Sequence, residues 1–199
     1  MENTEDATIQ EGKGRTMKKI LLVSGSTRRG GFNEQLTHAI AELIGSRAEV
    51  SMLDWCDVPL YVQTTEYPAP PEVERVRAEV ATADALWFVT PEYNHQIPGG
   101  LKNLTDWLSR SLDPSNPKGE SAIHGKVTTV SSAAGDGGSH VRPLLEDLLA
   151  FIRTRVVREN GTGVPISPQS WETGALEMGE GDIQALNAQV DSLLNAVKN

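Results

Sequence analysis

One cysteine, Cys56, occurs in 199 residues, which excludes an intrachain disulfide and a cysteine-rich metal centre and fits a reducing compartment such as the cytoplasm. Cys56 itself is expected to be a small buried or half-buried filler. Positive charge is also in short supply: 18 Lys and Arg stand against 27 Asp and Glu, for a formal net charge of −9. That balance argues against nucleic-acid and anionic-membrane partners, so an anionic ligand must be held by a local feature. No apolar run is long enough to span a bilayer. The first 16 residues lack the apolar run of a signal peptide and are expected to form a disordered leader, with Met17 as an alternative start. The four histidines, His38, His95, His124 and His140, show no metal-ligand spacing along the chain, and no metal is expected. The whole chain, 38% apolar and 23% charged, has the composition of one globular domain, expected to span residues 17–199.

Short β-branched runs alternate with segments of helical period, the pattern of repeated βα units and a parallel sheet covered on both faces. Strands are expected at Lys19–Ser24, Glu49–Leu53, Ala85–Thr90, Lys126–Ser131 and Arg155–Arg158. Apolar stripes mark five helices. Leu36, Ile40 and Leu43 lie on the first, Val73, Val76 and Val80 on the second, and Leu101, Leu104 and Leu108 on the third. Val141, Leu145 and Leu148 mark the fourth, and Leu186, Val190 and Leu193 the last. The expected fold is α/β, a flavodoxin-like three-layer sandwich with a five-stranded parallel sheet in the order 2-1-3-4-5. Two longer loops, Tyr61–Pro71 and Ser111–Gly125, are candidates for partner contacts.

In that strand order the loops after the first, third and fourth strands converge on one cleft. The first, Ser24 to Asn33, runs through Gly25, Ser26, Arg28, Gly30, Gly31 and Phe32 into a helix and suits a terminal phosphate. It has neither the Gly-Lys-Ser/Thr ending of a P-loop nor the G-x-G-x-x-G dinucleotide spacing. The second, Pro91-Glu92-Tyr93-Asn94-His95-Gln96-Ile97-Pro98-Gly99-Gly100, packs an acid, an aromatic, an amide and an imidazole together before a helix, as a ring-binding loop would. The plainer alternative is a capped turn in which Asn94 bonds its own backbone. The third, Ser131 to Ser139, carries Gly135, Gly137 and Gly138, small enough for a backbone to lie close to a ligand.

Together these residues resemble the NADPH-dependent FMN reductase family, a flavodoxin-like group that includes chromate, quinone and azo-dye reductases. The segment PEYNHQIPGGLKNLTDWLSR, Pro91 to Arg110, is similar to the family's P-E-Y-N-x-S-x-P-G-x-L-K-N-x-x-D-W-x-S-R signature, and Gly25 to Asn33 resembles its G-S-x-R-x-x-S-x-N phosphate turn. Asp54 to Tyr61 is similar to its D-x-x-x-(x)-P-L-Y segment. The resemblance implies that Ser26, Arg28 and Asn33 hold the FMN phosphate, helped by Gly31 and Phe32, that Pro91, Glu92, Tyr93 and Asn94 line the isoalloxazine, and that Gly137 and Gly138 close its other edge. It also implies a homodimer or homotetramer, with Trp107 either an interface residue or ordinary core. Three positions depart from the pattern: Gly31 and Gln96 stand where the family has serine, and His140 near a common arginine. Each changes a donor, and together they imply weaker flavin retention.

The activity implied is FMN-dependent transfer of a hydride from NADPH or NADH to a small acceptor such as a quinone, azo compound, chromate or free flavin. No side chain is required as a catalyst, since the cofactor carries the chemistry. Ping-pong kinetics are expected, with Tyr93 stacking rather than donating a proton. Two alternatives compete. A flavodoxin-type electron carrier would share the fold and the FMN. A phosphate-transfer or hydrolytic enzyme would need a nucleophile motif that the chain lacks.

Overall fold

The computed structural model describes residues 17–158 and 161–198; the leader expected for residues 1–16 lies outside the described residues. Strand β1 (Lys19–Ser24) pairs in parallel with β2 (Glu49–Met52) on one side and β3 (Ala85–Val89) on the other. Beyond β3 come β4 (Val127–Ala134) and a two-residue β5 (Arg155–Val156), giving the order β2-β1-β3-β4-β5. The expected doubly wound sheet is therefore present.

Alternation along β1 explains the three layers. Leu21 and Val23 point into a core built with α2 (Pro71–Thr82), α3 (Gly99–Ser109) and α4 (Val141–Phe151), through Val76, Val80, Leu101, Leu104, Leu108, Leu145 and Leu149. Ile20 and Leu22 point the other way, into a core built with α1 (Phe32–Ile44) and α6 (Glu180–Ala196) through Leu36, Ile40, Leu186, Val190 and Leu193. Strand β3 is buried along its whole length, as a central parallel strand must be. Its Trp87 and Phe88 are 0% exposed, burial worth about 1.5–3 kcal/mol apiece.

The α1/α6 core also encloses a polar network. The Gln189 side chain of α6 is 0% exposed and accepts from Ser131 Oγ (2.9 Å) and the Thr162 N–H (3.0 Å). Its Nε2 donates to Thr129 Oγ1 and the Val130 carbonyl, while Trp87 Nε1 donates to Ser131 Oγ. Every polar atom of the amide is engaged, so the network fixes α6 against β4 without an unmet desolvation cost.

The structure adds two elements to the expected set and decides between the two readings of Trp107. A sixth strand, β6 (Gly163–Pro165), pairs with the end of β4 through Ser132, Ala133 and Ala134. That pairing carries β4 three residues past the expected Ser131, and the third loop starts only at Gly135. A six-residue helix, α5 (Pro168–Thr173), follows; Ser167 caps it by accepting from the Ser170 N–H, and Pro168 begins it. Trp107 is core: it is 0% exposed, donates to the Pro59 carbonyl at 2.8 Å and meets Tyr61 edge-on. Asn103, one turn earlier, accepts from the Tyr61 N–H and donates to the same Pro59 carbonyl. The asparagine and tryptophan of the Leu101–Arg110 segment thus tie down the Pro59–Tyr61 loop, leaving Leu60 and Val62 exposed. Among the described residues no helix is long and apolar enough to cross a membrane.

Candidate functional site

At the carboxyl end of β1 the chain turns under restraint from below. Trp55 Nε1, from the segment after β2, donates to the Ser24 carbonyl at 2.8 Å, and the Gly25 N–H donates to the Val89 carbonyl of β3. Above this floor Ser26 Oγ accepts from the Arg28 N–H (3.2 Å), and the Glu34 carboxylate accepts from the Gly30 N–H. Gly31 then stands at the N-cap of α1 and offers no side-chain cap, so the first-turn N–H groups face outward at the positive end of the helix. The Arg28 side chain is exposed, and no described residue pairs with its guanidinium. Uncapped donors beside an unpaired cation form an anion seat.

Asn33 also braces the cleft. It is 4% exposed, its Nδ2 donates to the Ala133 carbonyl at 2.8 Å, and its Oδ1 accepts from the Ala133 N–H at 2.9 Å. This two-way bond pins the start of α1 to the end of β4. One Nδ2 hydrogen remains for a ligand.

The second loop is a tight hairpin. Tyr93 and Gln96 exchange backbone hydrogen bonds of 3.2 and 2.9 Å across Asn94 and His95, whose φ angles are 52° and 59°. Positive φ at both central residues defines a type I′ turn, which places Asn94 and His95 at the exposed tip. The alternative of Asn94 bonding its own backbone is not what forms here. Glu92 is anchored within the protein: its Oε2 accepts from the N–H groups of His140 (3.1 Å) and Val141 (2.9 Å), tying the loop after β3 to the start of α4.

The third loop is internally braced. Asp136 accepts from the Gly138 N–H (2.9 Å) and from the Ser139 hydroxyl, and the Ser139 hydroxyl bond is the main cause holding its carboxyl below the usual range. Arg142 donates to the Gly137 and Gly161 carbonyls.

Between the loops lies a cavity of about 160 Å³. The turn after β1 contributes Ser26, Arg28, Gly31, Phe32 and Asn33; the turn after β3 contributes Pro91, Glu92 and Tyr93; the end of β4 contributes Ala133, Ala134 and Gly135. Three expected residues lie outside this lining: Asn94, at the hairpin tip, and Gly137 and Gly138, which are buried behind it. The last two have φ of 73° and 70°, and a Cβ would lie 2.9 Å from Gly163 C in one case and 2.3 Å from Ser132 Oγ in the other. Their small size serves the protein's own packing, and Ala133 to Gly135 form the wall instead.

Sequence reasoning missed a fourth wall, Ile166 and Trp171 from the β6–α5 segment. Trp171 meets Phe32 edge-on at 5.1 Å yet remains 60% exposed. The Ser-Pro start of a short helix carrying an exposed tryptophan was the available signal. On the other side of the β1 turn a second hollow of about 400 Å³ shares Ser26 and Arg28 and reaches Asp54, Trp55 and Cys56. Cys56 is exposed rather than buried. Partial burial, then the charge of Asp54, pushes its thiol up, so it is no ready nucleophile. A larger hollow of about 670 Å³ sits at the opposite end of β1, lined by Met17, Arg47 and Asp191, where no strand-end loops converge.

The family model of the NADPH-dependent FMN reductases matches residues 18–168, from just before β1 to the start of α5. The chain belongs to this family. Among similar proteins, a 2-hydroxy-1,4-benzoquinone reductase of a Burkholderia species is 43% identical over 136 residues, 67% of this chain and 71% of that protein. A quinone reductase of Pseudomonas putida is 39% identical over 127 residues, which span 61% of this chain but only 65% of the relative. The flavoenzyme NAD(P)H:(acceptor) oxidoreductase of Paracoccus denitrificans superposes with a TM-score of 0.79 over 91% of this chain and 97% of its own, at 24% identity. That likeness carries the flavodoxin-like fold.

The cofactor named by the family fits the cleft. The uncapped start of α1 and the unpaired Arg28 supply donors and charge for a phosphate dianion, despite the net charge of −9. Pro91, Tyr93, Ala133, Ala134, Ile166 and Trp171 supply flat or small apolar surface for a ring system.

Proposed function

We propose that the protein is an FMN-dependent NAD(P)H oxidoreductase acting on a quinone or a similar small acceptor such as an azo compound, chromate or free flavin. The observation that carries the proposal is the meeting of the open α1 N-terminus and Arg28 with the apolar walls from β3, β4 and α5 in one cleft. When bound, FMN supplies the two-electron chemistry, taking a hydride from NADPH or NADH and reducing the acceptor. The protein's part is to bind, orient and shield. Ser26, Arg28 and the first-turn N–H groups of α1 hold the phosphate, with Gly31 giving its backbone where a serine hydroxyl would otherwise stand. Pro91, Tyr93 and the Ala133–Gly135 edge would position the ring, while Phe32 and Trp171 would shield it from water. Tyr93, 51% exposed, leaves a face open for a donor and then an acceptor to stack in turn, consistent with ping-pong kinetics.

The single cysteine and the acidic surface favour a cytoplasmic location without nucleic-acid or membrane partners. Exposed Leu60, Val62 and Leu112 favour a homodimer or homotetramer built on the loops beside α3. The deciding experiment incubates the protein with FMN, desalts it, records the flavin spectrum and adds NADPH or NADH without oxygen. Rapid bleaching of retained flavin supports a reductase, whereas retained flavin that stays oxidised with both donors points to an electron carrier. If no flavin is retained, NAD(P)H oxidation with excess FMN tests a reductase that releases it, and failure there overturns the proposal.

A further inference from the structure

We propose that Glu92, His95 and His140 form a binding site for a divalent transition-metal ion of the zinc class at the outer edge of the cleft. Glu92 and His95 are neighbours along one hairpin, whereas His140 comes from the loop after the next strand, so only the fold completes the set. The fold brings one ligand atom from each to within 4.8 Å of the others. Zinc bonds of about 2.0–2.2 Å to nitrogen and oxygen separate tetrahedral ligands by roughly 3.3–3.5 Å. His140 Nδ1 already lies 3.6 Å from Glu92 Oε1, and the two imidazole centroids are 4.0 Å apart. Both histidine side chains are exposed, so small rotations close the remaining distance.

The carboxylate is held ready for this. Glu92 is 10% exposed on its side chain, and its Oε2 is fixed by the N–H groups of His140 and Val141, leaving Oε1 on the histidine side. Such an outer bond orients a ligating carboxylate and limits the entropy lost on binding. His95 is presented by the left-handed tip of the hairpin, and no described residue hydrogen-bonds its ring. Asp136 Oδ2, 3.7 Å from His140 Nδ1, adds negative charge without occupying a ligand position. Two imidazoles with one carboxylate suit zinc, cobalt, nickel or copper; magnesium and calcium prefer an all-oxygen set. Three protein ligands leave a fourth position open to solvent. The assignment stands on these side chains and is independent of what the neighbouring cleft binds.

The test is calorimetric titration of the tag-free full chain, stripped with chelator, with Zn²⁺, accompanied by the visible absorption of Co²⁺ as a report on ligand type. One Zn²⁺ per chain with saturable micromolar affinity is expected. His95→Ala and His140→Ala should each weaken it by about tenfold or more, with unchanged thermal unfolding in chelator, while His124→Ala binds as the parent does. Absence of saturable binding overturns the site, as does affinity that survives both cleft-histidine substitutions or a Co²⁺ spectrum unchanged by them.

Discussion

The turn after β1 and the corner made by the turns after β3 and β4 are built from the same materials, glycines and short polar side chains, yet they distribute their hydrogen bonds in opposite ways. At the corner nearly every group has a protein partner: Glu92 caps α4, Asp136 binds Gly138 and Ser139, and Arg142 holds the Gly137 and Gly161 carbonyls. At the β1 turn the restraints lie underneath, from Trp55 and Asn33, while the upper side keeps an uncapped helix end and an unpaired Arg28. Groups satisfied within the protein make a wall. Groups left open on a braced floor make a seat, because donors that need no rearrangement bind an anion without an added ordering cost.

A methyl group added at a buried and at an exposed glycine of the corner should have very different costs. Gly138→Ala puts a Cβ 2.3 Å from Ser132 Oγ at φ 70°, combining overpacking with left-handed strain. A loss of about 2–4 kcal/mol is expected in urea unfolding. Gly135→Ala meets nothing within 4 Å and should stay within about 0.5 kcal/mol of the parent. Equal effects would show that the corner is no more tightly packed than its exposed rim.

Arg28→Ala asks the complementary question of the seat. With no partner among the described residues to lose, the substitution should leave urea unfolding unchanged while FMN affinity falls about tenfold to a hundredfold, the worth of a charge-assisted bond of roughly 1.5–3 kcal/mol. Unchanged affinity in a fluorescence titration would remove Arg28 from the site. Glu92→Ala should behave in reverse at the wall: loss of the α4 cap costs about 1–2 kcal/mol of stability, visible without any flavin present. A stability equal to the parent's would mean that the loop after β3 is held by its hairpin alone.

These contrasts also mark what could be read in the sequence. The βα alternation, the sheet order and the convergence of the strand-end loops follow from periodicity, which is local and strong in β1, β3 and the long helices. The β6–α5 segment was invisible because three residues, Gly163–Pro165, carry no periodicity and exist as a strand only through pairing with distant Ser132 to Ala134. The same non-locality hid the cleft wall of Ile166 and Trp171. Glu92 was legible as an unusual acid in a ring-binding loop, but not its direction, which depends on the N–H groups of His140 and Val141 across 48 and 49 residues. Gly137 and Gly138 were legible as places needing small residues. Sequence could not say whether the close neighbour was a ligand or the protein itself, and here Ser132 and Gly163 answer.

The smallest expected effect lies at the hairpin tip, the one part of the corner where a side chain adopts a conformation that favours glycine. His95 has φ 59° at the second central position of a type I′ turn, where glycine is the residue of least strain. A left-handed L-residue costs about 1–2 kcal/mol, and glycine returns about 0.4–1 kcal/mol of that through the larger entropy of its unfolded chain. His95→Gly, measured in urea with chelator present so that no bound metal contributes, should therefore stabilise the protein by up to about 1 kcal/mol. A measured destabilisation would mean that the ring, 4.0 Å from that of His140, makes a favourable contact exceeding the backbone strain. The tip would then be a wall like the rest of the corner, whereas the expected gain identifies it as a strained position retained for what its imidazole can hold.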